Sequence, residues 1–310
     1  MHGDTLEAIQ QSAAIPSMPM IATRCYEMTS DPNCNYDRLI ELLSTDAGMA
    51  ADVLRLSNSA LFGVTRQVTS LKTAVTLLGV KRIRDLVLSR YLVQKLRDAR
   101  DELVDIHHFW RRSLATGILT ARIAEAAKTR GREEAFLAGL LADVGVVILA
   151  RALPRQYGLI TTHYRTADSP LWTNLEFAQL GVAHPEVSAL VLEQWNLPKS
   201  IVDAVRNHHA KGPLADGKSA PDIAGVIGAA GDVARWLCNA SVSPDAAMQG
   251  CIDAMKSIGL DAGILANALS AIDADMQGMS RLLGVDVVDA KTFAAIGERL
   301  AAGTMATAAK

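Results

Sequence analysis

Residues 133–152 read Glu-Glu-Ala-Phe-Leu-Ala-Gly-Leu-Leu-Ala-Asp-Val-Gly-Val-Val-Ile-Leu-Ala-Arg-Ala, and between Ala135 and Ala150 the only charged side chain is Asp143. A helix apolar on every face has no side to turn toward water, so other helices must enclose it. The rest of the chain therefore has to fold as a layer around this segment. Asp143 adds a second constraint. An unpaired carboxylate buried in such a helix costs on the order of several kcal/mol, so it needs a cationic or hydrogen-bonding partner from another element.

The surrounding sequence supplies helices almost everywhere. Asn35 precedes a segment with Leu39, Ile40 and Leu43 on one face, and Asp46 opens another with Met49, Ala50, Val53 and Leu54. Both are N-cap residue types at helical spacing. Ser70 precedes Leu71, Val75 and Leu78, with Gly79 placed for a left-handed stop. Residues 80–96 and 106–127 predict long amphipathic helices, and residues 133–152 one central buried helix. Ser169-Pro170, His184-Pro185, Leu197-Pro198 and Ser243-Pro244 put proline where a helix begins and its missing N–H would have no partner. No alternating apolar and polar strand pattern occurs, so the fold class is all-α. Gly, Pro and polar residues mark a linker at 211–221, followed by helices near 222–239, 244–257, 262–283 and 290–302.

At 310 residues the chain can form one large or two modest domains. No uninterrupted run of about 18 apolar residues appears, so no membrane span is expected. The N-terminus lacks a basic segment followed by an apolar one. The cysteines Cys25, Cys34, Cys238 and Cys251 form no CxxC pair. They are reduced packing thiols on this reading, and the cytoplasm is the expected compartment. Net charge is −2 and pI about 6.4, which gives no general attraction to nucleic acid. Residues 81–132 nevertheless carry thirteen Lys or Arg against six Asp or Glu. This is a solvated helix surface or a phosphate-binding face. No Walker loop, GxGxxG after a strand, or GxSxG elbow is present.

Several motifs occur in order: Asp52-Val-Leu-Arg-Leu-Ser-Asn-Ser-Ala-Leu-Phe-Gly63, then Ser70-Leu-Lys-Thr-Ala-Val-Thr-Leu-Leu-Gly79, then Phe109-Trp-Arg-Arg-Ser113. Ala135-Phe-Leu-Ala-Gly-Leu-Leu-Ala-Asp-Val-Gly145, Gly181-Val-Ala-His-Pro-Glu-Val-Ser188, Trp195-Asn-Leu-Pro198 and Val205-Arg-Asn-His-His209 follow. Over residues 15–210 this set resembles the HDOD domain, a bacterial regulatory relative of the HD-superfamily metal phosphohydrolases. The resemblance implies an N-terminal helical subdomain (1–100) packed on an HD-like bundle (101–210). The linker (211–221) and C-terminal helices (222–310) then complete or extend the bundle. Asn58, Ser59, Gly63, Gly79, Trp110, Gly139, Gly145, Pro185 and Trp195 fall at motif positions with a structural role, Gly139 and Gly145 by permitting close helix packing.

The same resemblance places a metal-ligand pattern on this chain, and two positions depart from it. The first His falls at Arg112 and the His of the His-Asp pair at Ala142, while Asp143 is kept. His184, one of His208 and His209, and Asp232 match later ligand positions. An alanine methyl coordinates nothing, and Arg112 puts a fixed positive charge where an ion belongs. Arg112, or Arg111 if the register slips by one, is the expected partner of Asp143. His184 before Pro185 reads more simply as a helix cap. On a helix the adjacent His208 and His209 point about 100° apart, so only one faces the cleft. Asp232 reads as a hydrogen bond to a neighbouring helix.

The expectation is thus a non-catalytic signal-transduction module with no cofactor, acting on protein partners, with a small ligand in the vestigial cleft. It includes no membrane and no nucleic-acid partner. Were a metal held, Asp143, His184, His208 and Asp232 would be its ligands. The alternatives are a residual metal-dependent phosphohydrolase or phosphodiesterase, and a binder of nucleotide second messengers or nucleic acid through residues 81–132.

Overall fold

The N-terminal part begins with α1 (His2–Gln11), α2 (Met20–Ser30), α3 (Tyr36–Ser44) and α4 (Ala47–Ser57), and α2, α3 and α4 pack on the long α5 (Leu71–Arg97). The computed structural model describes residues 2–31, 33–58, 67–97, 103–161, 169–210, 221–239, 241–285 and 295–301, and among these there is no strand. The caps follow the sequence. Asn35 Oδ1 accepts the Arg38 N–H at 3.1 Å, Asp46 Oδ1 that of Met49 at 2.9 Å, and Ser70 Oγ that of Thr73 at 3.1 Å. Asn58 ties the end of α4 to the chain before α5. Its Oδ1 accepts from Val68 N at 2.7 Å, and its Nδ2 donates to Leu54 O at 2.7 Å and Val68 O at 2.9 Å. Ser59 and Gly63 lie outside the described residues. Gly79 has φ 76° and ψ 159°, which kinks α5 so that two predicted helices become one bent element.

The central layer is α6 (Ile106–Ala126), a 3₁₀ turn (Arg132–Glu134), α7 (Ala135–Leu141), α8 (Val144–Ala152), α9 (Pro154–Tyr157), α10 (Ser169–Leu180), α11 (His184–Gln194) and α12 (Lys199–Arg206). Two glycines set the approach of α6 to α7. A Cβ on Gly139 would lie 2.5 Å from Thr120 Oγ1, and one on Gly117 would lie 2.9 Å from Phe136 O. Trp110 is buried on α6, edge-on to Phe109 at 4.9 Å. Trp195, just past α11, donates from Nε1 to Pro16 O at 2.8 Å and ties the bundle to the N-terminal part.

The single helix predicted over 133–152 is divided. It breaks at Ala142 and Asp143, where Asp143 has φ −98° and ψ 8°. The Gly145 N–H leaves the helical pattern and donates to Ser188 Oγ on α11 at 2.8 Å. By length and composition Arg132–Ala152 passes for a membrane span, but 89% of its most apolar window is buried inside the protein.

After the predicted linker, of which only Pro221 is described, come α13 (Ile223–Leu237), α14 (Pro244–Ser257), α15 (Ala262–Ser270), α16 (Ile272–Leu283) and a helical segment at 295–301. The helix predicted at 262–283 is two, because Ala271 turns at φ −110° and ψ −1°. α13 packs on α6, α7 and α12, while α15 and α16 pack on α6.

Candidate metal centre

Asp143 sits where α7 gives way to α8, with its side chain buried. Arg112, one face of α6 away, donates from Nη2 to Asp143 Oδ2 at 2.8 Å. The other oxygen, Oδ1, faces two imidazoles: His184 Nε2 at 3.3 Å and His208 Nε2 at 3.2 Å. His209 completes the group, its ring centroid 5.1 Å from that of His184 and 4.0 Å from that of His208. One ligand atom from each of Asp143, His184, His208 and His209 lies within 4.8 Å of the others.

The backbone explains how these residues meet. Gly145 lies directly under the start of α11, and a Cβ there would come 2.2 Å from His184 O. Only a glycine lets α11 approach so near to Asp143. Pro185 follows in the first turn of α11, where its missing N–H costs nothing. His208 and His209 lie beyond the end of α12 at Arg206, in a turn. The 100° argument against their sharing one site applies to a helix and fails here. His184 is no cap either, since the N-cap residue is Ala183 and the His184 side chain makes no cap bond.

Glu176, on α10 and fully buried, escaped the sequence reading. Its Oε2 lies 2.7 Å from His184 Nδ1 and accepts the His184 backbone N–H at 2.7 Å, while Oε1 accepts the Tyr157 hydroxyl at 2.6 Å. A carboxylate at Nδ1 keeps the proton on that nitrogen, so the Nε2 edge facing Asp143 is the one that would give up its proton to bind an ion. Val205 O does the same for His208 Nδ1, at 2.5 Å. His184 Nε2 is buried without a well-formed hydrogen bond, an orphaned donor atom of the kind a cation would satisfy.

The electrostatics agree. Burial opposes charge on Asp143, but the Arg112 guanidinium and the His184 and His208 imidazoles outweigh it and hold the carboxyl well below the usual carboxylate range. Burial also lowers His184, yet Glu176 and Asp143 carry it up to about 9. His209 is held well below the ordinary imidazole range by burial and by the charges at His208 and His184, so it stays neutral. Three imidazole nitrogens and one carboxylate oxygen suit a borderline divalent ion such as Zn²⁺, Co²⁺ or Fe²⁺. Asp232 stays outside the group, its Oδ1 3.7 Å from Arg235 Nη2.

The sequence matches the family model of the HDOD domain over residues 15–211. The chain belongs to the HDOD domain family. The fold is shared with a candidate phosphohydrolase from Shewanella amazonensis SB2B, at 22% identity and TM-score 0.66, covering 88% of this chain and 99% of that one. A candidate metal-dependent phosphohydrolase from the same organism matches at 18% identity and TM-score 0.59, over 91% and 92% of the two chains. A candidate signal transduction protein from Marinobacter aquaeolei VT8 matches at 18% identity and TM-score 0.55, over 97% of this chain and 66% of that one. An uncharacterized protein of Treponema pallidum (strain Nichols) is 25% identical over 196 residues, 63% of this chain. The HDOD chain spans only 37% of the length of that relative.

The expectation that this HDOD protein is no enzyme, drawn from Arg112 and Ala142, is overturned. Two histidines of one pattern are missing, but three others reach Asp143 from the start of α11 and the turn after α12. One structural relative with this fold carries the name of a candidate phosphohydrolase and another that of a candidate metal-dependent phosphohydrolase. The losses at Arg112 and Ala142 are no ground for ruling catalysis out.

Proposed function

We propose that this HDOD protein is a signal-transduction module in which Asp143, His184, His208 and His209 hold one divalent transition-metal ion. The centre binds a phosphate-bearing ligand, and its state is relayed to protein partners. The observation that carries this reading is the convergence of four ligand atoms whose two central imidazoles are oriented from behind by Glu176 and Val205. When bound, an ion of this kind polarises a phosphoryl oxygen and acidifies a water molecule. Arg112 keeps Asp143 ionised and fixes its second oxygen, and His209, partly exposed, is the side of the centre nearest solvent.

Hydrolysis of a phosphoester is the second reading. It is favoured by the partial exposure of His209, which leaves a path for water and a phosphoester to the centre. Elemental analysis of protein purified without chelator tests the centre. About one transition-metal ion per chain is expected, lost in Asp143→Asn and His208→Ala. No retained metal, together with no thermal stabilisation by Zn²⁺, Mn²⁺, Co²⁺ or Fe²⁺, overturns the proposal. Release of phosphate from mono- and diesters by the loaded protein then separates hydrolysis from binding alone.

A further inference from the structure

A cavity of about 440 Å³ lies away from the metal centre, between α5, α6, the 3₁₀ turn and α15. Its size falls in the range of about 300–1,000 Å³ typical of small-molecule sites. Three arginines from three separate elements line it: Arg82 on α5, Arg122 on α6 and Arg132 on the 3₁₀ turn. All three come from the basic stretch 81–132. The floor is apolar, with Leu86, Phe136 and Ala268 among its residues.

We propose that this cavity binds a small phosphorylated aromatic ligand of the nucleotide class, its phosphate on the arginines and its ring on the apolar floor. Guanidinium forks match phosphate oxygens in pairs, which a lone lysine cannot do. Arg132 pairs with Glu125 at 3.1 Å in a contact that is largely exposed, so a ligand phosphate displaces that pair at little cost. Arg122 is positioned from behind by Asp275, a fully buried acid on α16. Glu125 and Glu133 also line the rim, so a bare anion meets both signs of charge there. The ring is what makes binding favourable. Asp85 also lines the cavity; its nearly buried carboxylate accepts from Arg84 Nε at 3.1 Å, and burial raises its pKa against the pull of Arg84.

This inference does not rest on the metal centre, and the experiment keeps the two apart. Isothermal titration calorimetry of the full chain would use AMP, GMP, ADP and GDP, with inorganic phosphate, adenosine and guanosine as controls. At least one nucleotide is expected to bind saturably with a Kd below about 1 mM, and phosphate or nucleoside at least tenfold more weakly. Arg82→Ala and Arg132→Ala each weaken binding about tenfold, the loss of a charge-assisted contact. Asn267→Trp, at an exposed lining position, blocks the mouth while circular dichroism stays unchanged. All titrations are run with EDTA present, which keeps the metal centre empty, and binding persists there. Three results would each overturn the proposal: no heat from any nucleotide, binding that survives Asn267→Trp and both arginine variants, or binding seen only when EDTA is left out.

Discussion

Glu176 accepts three hydrogen bonds, from the backbone and Nδ1 of His184 and from the Tyr157 hydroxyl. It thereby decides which nitrogen of His184 is offered to the centre. In metal-free protein this also governs stability. Burial lowers the His184 pKa, but Glu176 and Asp143 raise it from 6.5 to about 9 in the folded state. A folded pKa above the unfolded one gives stabilisation that is full below about pH 6.5 and is lost as pH rises through about 9. With chelator present, the thermal midpoint should therefore fall between pH 7 and 10. Glu176→Gln should flatten that fall and weaken metal binding by about 10–100-fold. A wild-type midpoint as flat as that of the variant would count against this role for Glu176.

At the scale of elements, the centre depends on how closely α8 and α11 cross. Gly145→Ala places a methyl carbon 2.2 Å from His184 O, and main-chain atoms yield less easily than side-chain tips. The expected cost is about 1–3 kcal/mol of stability, with metal occupancy falling as α11 moves away from Asp143. Ser188→Ala removes the bond to Gly145 N without adding bulk, so it should cost about 1 kcal/mol and keep the metal. Thermal midpoints and elemental analysis of the two variants, side by side, check this. The same crossing shows what the sequence could not display. Helices closed by their own caps, such as those opened by Asn35, Asp46 and Ser243, were legible because their determinants are local. The break at Asp143 was not, since the Gly145 N–H beside it pairs with a hydroxyl 43 residues further along the chain. His208 and His209 were misjudged because nothing local marks the end of α12 at Arg206. Asp143 stood out as a lone carboxylate in an apolar run. Glu176 carries the same signal more faintly, masked by polar neighbours such as Asn174 and Gln179.

At the scale of the whole molecule, the family match ends at residue 211 but the packing continues. α13 lies on α6 and α7, and Gly228 on α13 sits so close to the turn after α12 that a Cβ would meet His208 O at 2.2 Å. α15 supplies Ile264, Asn267 and Ala268 to the cavity wall. A chain ending at residue 210 should therefore keep all four candidate ligands and yet lose the surface behind them. Hydrogen–deuterium exchange along α6 is expected to quicken by at least tenfold in such a chain, with metal affinity reduced. Unchanged exchange would show the later helices to be dispensable. The close seat of Gly228 against His208 also has a consequence in time. On the ribosome the three histidines emerge before α13 does, so the growing chain holds its ligands for a while with no wall behind them. The wall behind the centre is complete only after residue 237 has been made, so an ion met before then is held more weakly than one met after.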